Sequence, residues 1–468
     1  MTAVHTSPYS GAWYPDGAEE LGGLLDSCWE RSARRTEPLL DGGLGYIVPH
    51  AGPQYSGTVA AAVYRTLQKQ QPERVVVLAF PHRGRLRGVA APDVQAVATP
   101  LGEVRLDEEF PAAFPRAPEE RVCDHSFEIQ LPFLQMAVPR ARIAVLYVDR
   151  MAAEERRAVA ETLAAQYRPG TVFVASSDFT HYGLSFGFQP FPPDQHAPRR
   201  LREMDEECTE AAGSLDAERF LRAVAETEST ICGTGPIALL LDTLRLVSDG
   251  ELYLSQLDYQ TSGEITGDYH HSVSYAALGF HPKQAFDLSA TEFDALLASA
   301  AETLRLLRET GRRTPVRAAD AGPLLGARRG AFVSLHHEGE LLGCVGNIRG
   351  RQPLAEQIPE LTLAAALEDP RFRPATETKG AIDIEISLLT PLRLVRGSED
   401  VKVGRHGVVL GLGAHSGLLL PQVATERGWT AEEFLRALTR KSLTGPHAWR
   451  DPKARLYVFE AQVGSSGN

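Results

Sequence analysis

The sequence predicts an α/β fold in its first part, a layered domain with a largely parallel or mixed sheet, joined to a smaller α+β domain. Two observations predict this. Short apolar, β-branched-rich runs alternate with helical stretches through the first half, and the character of the chain changes near Gly279-Phe280-His281-Pro282. Runs that are apolar at every position are typical of strands buried on both faces, and their alternation with helices favours helices layered on a sheet. At 468 residues the chain also exceeds one compact core, because single cores stop growing at about 250–300 residues.

The strand candidates of the first part are residues 45–48, 74–80, 143–148 and 171–175. Residues 152–166, rich in Ala, Glu and Arg, form a helix between the last two, closed by Pro169-Gly170. A boundary falls near 280–288, giving domains at 1–284 and 285–468. Beyond it Ser289-Ala290-Thr291-Glu292 has capping-box spacing. Phe293, Leu296, Leu297, Ala300, Leu304 and Leu307 then recur at helical spacing, and Gly311 closes the helix. Residues 330–335, 381–388 and 407–412 read as strands, and Thr430-Ala431-Glu432-Glu433 starts another helix. Gly464-Ser465-Ser466-Gly467-Asn468 reads as a frayed tail.

The formal charge of -12 argues against a nucleic-acid or membrane-surface partner, since phosphate-rich surfaces need basic patches. The longest basic run, Arg199-Arg200-Leu201-Arg202, is followed by Glu203, Asp205 and Glu206, the mixture of a solvated helix face. Met1-Thr2-Ala3-Val4-His5-Thr6 lacks the basic start and apolar core of a secretory signal. No apolar run approaches the roughly 20 residues that span a bilayer. Cys28, Cys123, Cys208, Cys232 and Cys344 form no CxxC pair and no disulfide-like framework. A cytoplasmic, reducing setting is therefore expected, where a cysteine is free to act as ligand or nucleophile.

Ligands of open α/β sheets gather outside the carboxyl ends of the strands, and three polar clusters fall at such ends. They are Pro49-His50-Ala51-Gly52, Pro81-His82-Arg83-Gly84 and Ser176-Ser177-Asp178-Phe179-Thr180-His181. Parallel strands would bring a histidine from each to one edge. A single buried histidine is ordinarily a satisfied core residue; three at equivalent positions point to convergence. Imidazole is the commonest neutral metal ligand, and its second nitrogen needs an acceptor, for which Asp178 and Glu128 are candidates. His125 and Glu128 share one face if their segment is helical, with a surface ion pair as the other reading. Cys232, in Thr230-Ile231-Cys232-Gly233, precedes an apolar helix over 237–246. It reads either as a thiol with a pKa lowered by the helix N-terminus or as a buried inert cysteine.

Gly11-Ala12-Trp13-Tyr14, Pro49-His50-Ala51-Gly52, Asp124-His125-Ser126-Phe127-Glu128, Ser176 to His181, Thr230-Ile231-Cys232-Gly233 and Ser272-Val273-Ser274-Tyr275-Ala276-Ala277 together resemble the Memo family (mediator of cell motility). That family is similar in fold to LigB-type class III extradiol dioxygenases, which are non-haem iron enzymes. The resemblance covers residues 5–281 and implies His50, His82 and Cys232 as metal ligands, with Asp178 and His181 in the same pocket. It implies iron(II), with copper as an alternative. Arg83 stands where relatives carry a second histidine, and Gly235 where they carry a bulkier polar residue.

The second part resembles the AMMECR family through Leu341-Leu342-Gly343-Cys344-Val345-Gly346, Ala365 to Phe372, Glu385 to Pro391 and Gly417 to Ala424. Leu342 stands where that family has arginine and Thr439 where it commonly has cysteine. The fusion is similar to AmmeMemoRadiSam proteins, which implies a radical-SAM partner protein. Cys344 reads as a nucleophile in a glycine-bracketed turn or as a small core residue. Glu368-Asp369 reads as a helix end in contact with Arg371 or as a catalytic carboxylate pair.

Three functions follow as expectations. The first is a metal-dependent, dioxygenase-like oxidoreductase acting on a small aromatic or cyclic substrate. In it His181 or His125 acts as general acid/base, Tyr55 and Asp178 orient that histidine, and Glu128 fixes a tautomer. The second is a metal-binding or redox-interaction protein without turnover, whose C-terminal domain binds a partner. The third is zinc hydrolysis, in which the same ligands lower the pKa of bound water.

Overall fold

The computed structural model describes residues 4–35, 38–84, 86–248 and 251–466. Met1, Thr2 and Ala3 of the N-terminal stretch, and Gly467 and Asn468 of the closing segment, lie outside the described residues. The chain divides into two compact units, Met1–Ala285 and Phe286–Asn468.

The first unit is built on a mixed sheet whose centre is parallel. Its strands Gly45–Val48, Thr171–Ser176, Arg74–Ala79 and Arg142–Val148 lie side by side in that spatial order, all parallel. His271–Pro282 pairs antiparallel with Gly45–Val48, and Val89–Pro92 antiparallel with Arg142–Val148. The apolar runs are buried throughout because alternate side chains enter two different cores. Tyr46, Val48, Val75, Val77, Val145, Val172 and Val174 pack on one face with the helices Ala18–Arg35, Pro53–Gln70 and Gln130–Ala137. Ile47, Val76, Leu78, Ala144, Leu146, Phe173 and Ala175 pack on the other with Ala153–Gln166, Ala197–Gly213, Ala217–Thr227 and Thr234–Val247.

Strand order decides where the loops meet. The chain lays down Gly45–Val48, moves two places over to Arg74–Ala79, continues outward to Arg142–Val148, and only then inserts Thr171–Ser176 into the gap. The loops after the first two strands therefore flank the tip of the inserted one.

The second unit carries two four-stranded sheets. One runs in the order Glu340–Asn347, Ala331–His337, Asp383–Leu389, Ala461–Ser465, and the other Arg393–Val395, Arg455–Phe459, Gly407–Leu412, His415–Leu419. The helices Ala290–Thr310 and Ala431–Lys441 both start with capping boxes, Ser289 with Glu292 and Thr430 with Glu433. Gly311, at φ 71°, ends the first in the left-handed conformation that glycine takes without strain. The tail reading is corrected for Gly464 and Ser465, which pair with Ile386 and Glu385 as an ordered strand. Glu368 caps the helix Leu354–Leu367, and Asp369 binds Arg371 at 2.6 Å and the Cys344 amide at 2.9 Å. Among the described residues, no helix is long and apolar enough to cross a membrane.

At the sheet edge near Gly45, His281 packs edge-on against Tyr46 at 5.7 Å and is fully buried. Burial pushes its pKa down to about 4. The folded imidazole stays neutral while the unfolded one titrates near 6.5. Its contribution is therefore intact above pH 6.5 and is lost as pH falls through that value toward about 4. Urea unfolding across this window should show a steeper loss of stability in the wild type than in His281→Gln; equal slopes would contradict the assignment.

Candidate metal centre

Three histidines meet at the carboxyl edge of the parallel strands. His50 follows Gly45–Val48 and His82 follows Arg74–Ala79, while His125 opens the short helix His125–Glu128. One ligand nitrogen from each lies within 4.8 Å of the others. Ring centroids are separated by 5.1 Å between His50 and His82, 5.2 Å between His50 and His125, and 4.3 Å between His82 and His125. His50 is buried, whereas the side chain of His82 keeps 26% of its surface exposed, so the cluster has an outward side.

The hydrogen bonds fix the tautomer of all three rings. Asp124 Oδ1 accepts from Nδ1 of His82 at 2.8 Å and of His125 at 3.1 Å. A carboxylate only accepts, so both Nδ1 atoms carry the proton. For His50 the partner is the Ser176 hydroxyl, 2.9 Å from Nδ1. That hydroxyl gives its one hydrogen to the Ser126 carbonyl and accepts from Gln130 Nε2 at 3.0 Å. The bond to His50 must then be donated by Nδ1–H. Each imidazole is left with a bare Nε2 lone pair.

The charges agree. Burial, reinforced by the neighbouring His125 and His82, pushes His50 well below the ordinary imidazole pKa. For Asp124 burial acts upward, but hydrogen bonds from His125 and His82 outweigh it and hold the carboxyl well below the usual range. Its second oxygen, Oδ2, is buried and has no hydrogen-bond partner.

Cys232 comes from the loop before the helix Thr234–Val247, and its Sγ lies 3.2 Å from His50 Nε2. Gly233 lets this loop sit on the inserted strand. Its N–H donates to Ser177 Oγ at 2.9 Å, and a Cβ there would meet Ser177 Cβ at 2.5 Å. Of the two readings of Cys232 the buried one holds and the lowered pKa is corrected: burial, then the nearby Asp178 charge, push the thiol well up. The helix terminus does not offset that desolvation, so the thiol keeps its proton, with the Asp178 carbonyl at 3.6 Å and His50 Nε2 at 3.2 Å as its acceptors.

Asp178 Oδ1 accepts from the backbone N–H of His50 at 2.8 Å and of Ala51 at 3.3 Å, holding the His50 loop in place. Burial pushes its pKa up, with nearby His181 pulling the other way. His181 Nδ1 donates to the carbonyls of Phe179 and Thr230 at 3.0 and 3.1 Å, so its Nε2 is also bare. These carbonyls orient His181, and Asp124 orients His125, roles expected of Tyr55 and Asp178. Tyr55 sits in the first turn of Pro53–Gln70, 41% exposed. Glu128 does fix a histidine, but it is His5, whose Nε2 lies 3.0 Å away. Sequence reasoning missed Asp124 and Ser176. Asp124 adjoins His125 in a quoted motif, and its N-cap bond to the Ser126 amide was the available signal.

A divalent cation fits this donor set. Bare nitrogen lone pairs aimed at one another repel unless a proton or cation is shared among them, and an ionised thiol would add a negative donor. An α/β domain with polar loops at the carboxyl edge carries here a histidine cluster that could hold a metal ion. Residues 6–279 match the Memo-like protein family, and residues 297–464 match the AMMECR1 family. The chain belongs to the Memo-like family, with an AMMECR1 domain as its second part.

A MEMO1 family protein of Methanopyrus kandleri is 32% identical over 58% of this chain and 96% of its own length. A protein of Methanocaldococcus jannaschii is 40% identical over 29% of this chain and 72% of its own. Among solved structures, an uncharacterized protein of Pyrococcus horikoshii is 33% identical with a TM-score of 0.35, covering 38% of this chain and 91% of that one.

Because Asp124 holds two of the three rings, Asp124→Asn should weaken metal binding by about 10–100-fold. Glu128→Gln should change it little. A competition titration with a chromogenic chelator reads both, and equal effects would contradict the assignment.

Proposed function

We propose that the first unit is a metal-dependent, dioxygenase-like oxidoreductase that holds iron(II) through His50, His82 and Cys232 and acts on a small aromatic or cyclic substrate. The observation that carries this reading is the gathering of one nitrogen each from His50, His82 and His125 within 4.8 Å, with Cys232 Sγ outside that group but 3.2 Å from His50 Nε2. Cys232 is preferred to His125 as third ligand because a thiolate brings the negative charge that three neutral imidazoles lack. Metal binding would displace the thiol proton, as ligand deprotonation generally accompanies coordination. When bound, iron(II) supplies Lewis acidity and one-electron chemistry toward dioxygen, with positions left open by a three-residue ligand set.

The surrounding side chains suit such a substrate. Trp13 lies 4.4 Å from His125 and Tyr9 5.5 Å, and Phe80 stands edge-on to His82 at 4.8 Å, so flat apolar surfaces border the cluster. Such walls with a few placed polar groups are what small cyclic ligands need. His181 and His125 both have Nδ1–H held and Nε2 free, the state of a general base ready to accept a proton.

Anaerobic purification followed by metal quantification tests the reading. His50→Ala, His82→Ala and Cys232→Ala should each lose the bound equivalent of iron. His125→Ala should retain it while slowing oxygen uptake with a catechol by about 100-fold or more. Full iron content in any of the first three variants would overturn the ligand set, and iron-loaded wild type that consumes no oxygen with any cyclic substrate would overturn the oxidoreductase.

A further inference from the structure

Beside the histidine cluster the first unit has a recess of about 580 Å³, lined by Gly84, Leu86, Arg87, Arg121 and Asp149. Gly84, Arg121 and Asp149 tie its walls to the loops around the metal centre. Gly84 closes the tight turn that holds His82, its N–H donating to the Pro81 carbonyl at 3.2 Å. Two residues reach at most about 7 Å, so the recess begins within that distance of the His82 backbone. Arg121 lies in the short helix Glu119–Val122, which leads through Cys123 directly into Asp124 and His125. Asp149 follows the strand Arg142–Val148, and its carbonyl lies 3.3 Å from where a Cβ on Gly235 would stand, close to the Cys232 loop. The recess therefore opens at the same sheet edge as the imidazoles.

Its charge is the unusual part. The chain carries a net -12, yet two arginines and one aspartate line this concave space. A third, Arg83, lies 5.2 Å over the Tyr9 ring that packs against His125. Guanidinium is always charged and presents paired donors that match a carboxylate or phosphate. Nothing in the reading of the metal centre uses these arginines.

We propose that this recess binds the anionic end of the substrate, a carboxylate or phosphate group, through Arg87 and Arg121, with the reactive part of the same molecule lying over the histidine cluster. The inference rests on the metal-dependent reading for the second half of that statement; the anion site stands on the recess itself. Asp149 sets the selectivity. As the one acid among the described lining residues it weakens anion binding, and it disfavours molecules that carry several negative charges.

Calorimetric titration of the full chain tests this with two probes, inorganic phosphate and benzoate. Wild type should bind one equivalent of at least one of them. Arg87→Gln and Arg121→Gln, both substitutions at exposed positions, should each weaken that binding ten-fold or more, and Asp149→Asn should strengthen it. His50→Ala, in which the metal site is broken, should bind the anion as wild type does. Tighter binding of either probe supports the recess and names the anionic group.

The absence of saturable binding, or unchanged affinity when both arginines are replaced, would overturn the proposal. So would loss of binding in His50→Ala, which would place the anion on the metal instead. Wild type that holds no iron when iron(II) is supplied anaerobically, yet binds the probe through Arg87 and Arg121, would remove the metal reading alone and leave the anion site standing.

Discussion

Two acceptors, the Asp124 carboxylate and the Ser176 hydroxyl, determine what the first unit can do. An imidazole is an ambiguous group: either nitrogen can hold its proton, and the ring can turn. Here one carboxylate oxygen takes the Nδ1–H of both His82 and His125, and a hydroxyl whose own hydrogen is committed to Ser126 takes that of His50. The rings cannot exchange protons with their holders, so three lone pairs are presented to one small volume. Burial keeps His50 from relieving the crowding by protonation. A cation resolves the frustration, and the cysteine beside His50 can supply compensating charge once its own proton has left.

The fold makes this arrangement affordable. Four parallel strands buried on both faces, apart from Arg142 at the start of one, leave polar chemistry to collect in the loops past their carboxyl ends. The late insertion of Thr171–Ser176 between the strands that lead to His50 and His82 puts Ser176 and Asp178 under both loops. Ser176 then fixes a ring, Ser177 anchors the Cys232 loop through Gly233, and Asp178 ties down the His50 backbone. Three consecutive residues of one strand tip thus position two separate loops, those of His50 and Cys232.

Much of this was legible in the sequence. The strand runs were readable because burial on both faces leaves continuous apolar stretches, and the capping boxes at Ser289 and Thr430 because their side-chain bonds are local. His50 and His82 could be placed at one edge from strand ends alone. What depends on contacts distant in the chain could not be read. Nothing near Ser176 indicates that it faces His50, and nothing near Glu128 indicates that His5, 123 residues away, takes its carboxylate. The thiol of Cys232 stayed open between two readings for the same reason: the helix it precedes is local, but the burial that raises its pKa comes from the strands it packs on. Gly464 and Ser465 looked like a tail because their strand partner lies some eighty residues earlier.

Anomalous diffraction at the iron edge, from crystals grown without oxygen, tests the central claim most directly. The account predicts a single strong peak in the first unit, within coordination distance of His50 Nε2, His82 Nε2 and Cys232 Sγ, with Asp124 still bridging the Nδ1 atoms of His82 and His125. A peak elsewhere, or rings turned so that Nδ1 faces the ion, would contradict it.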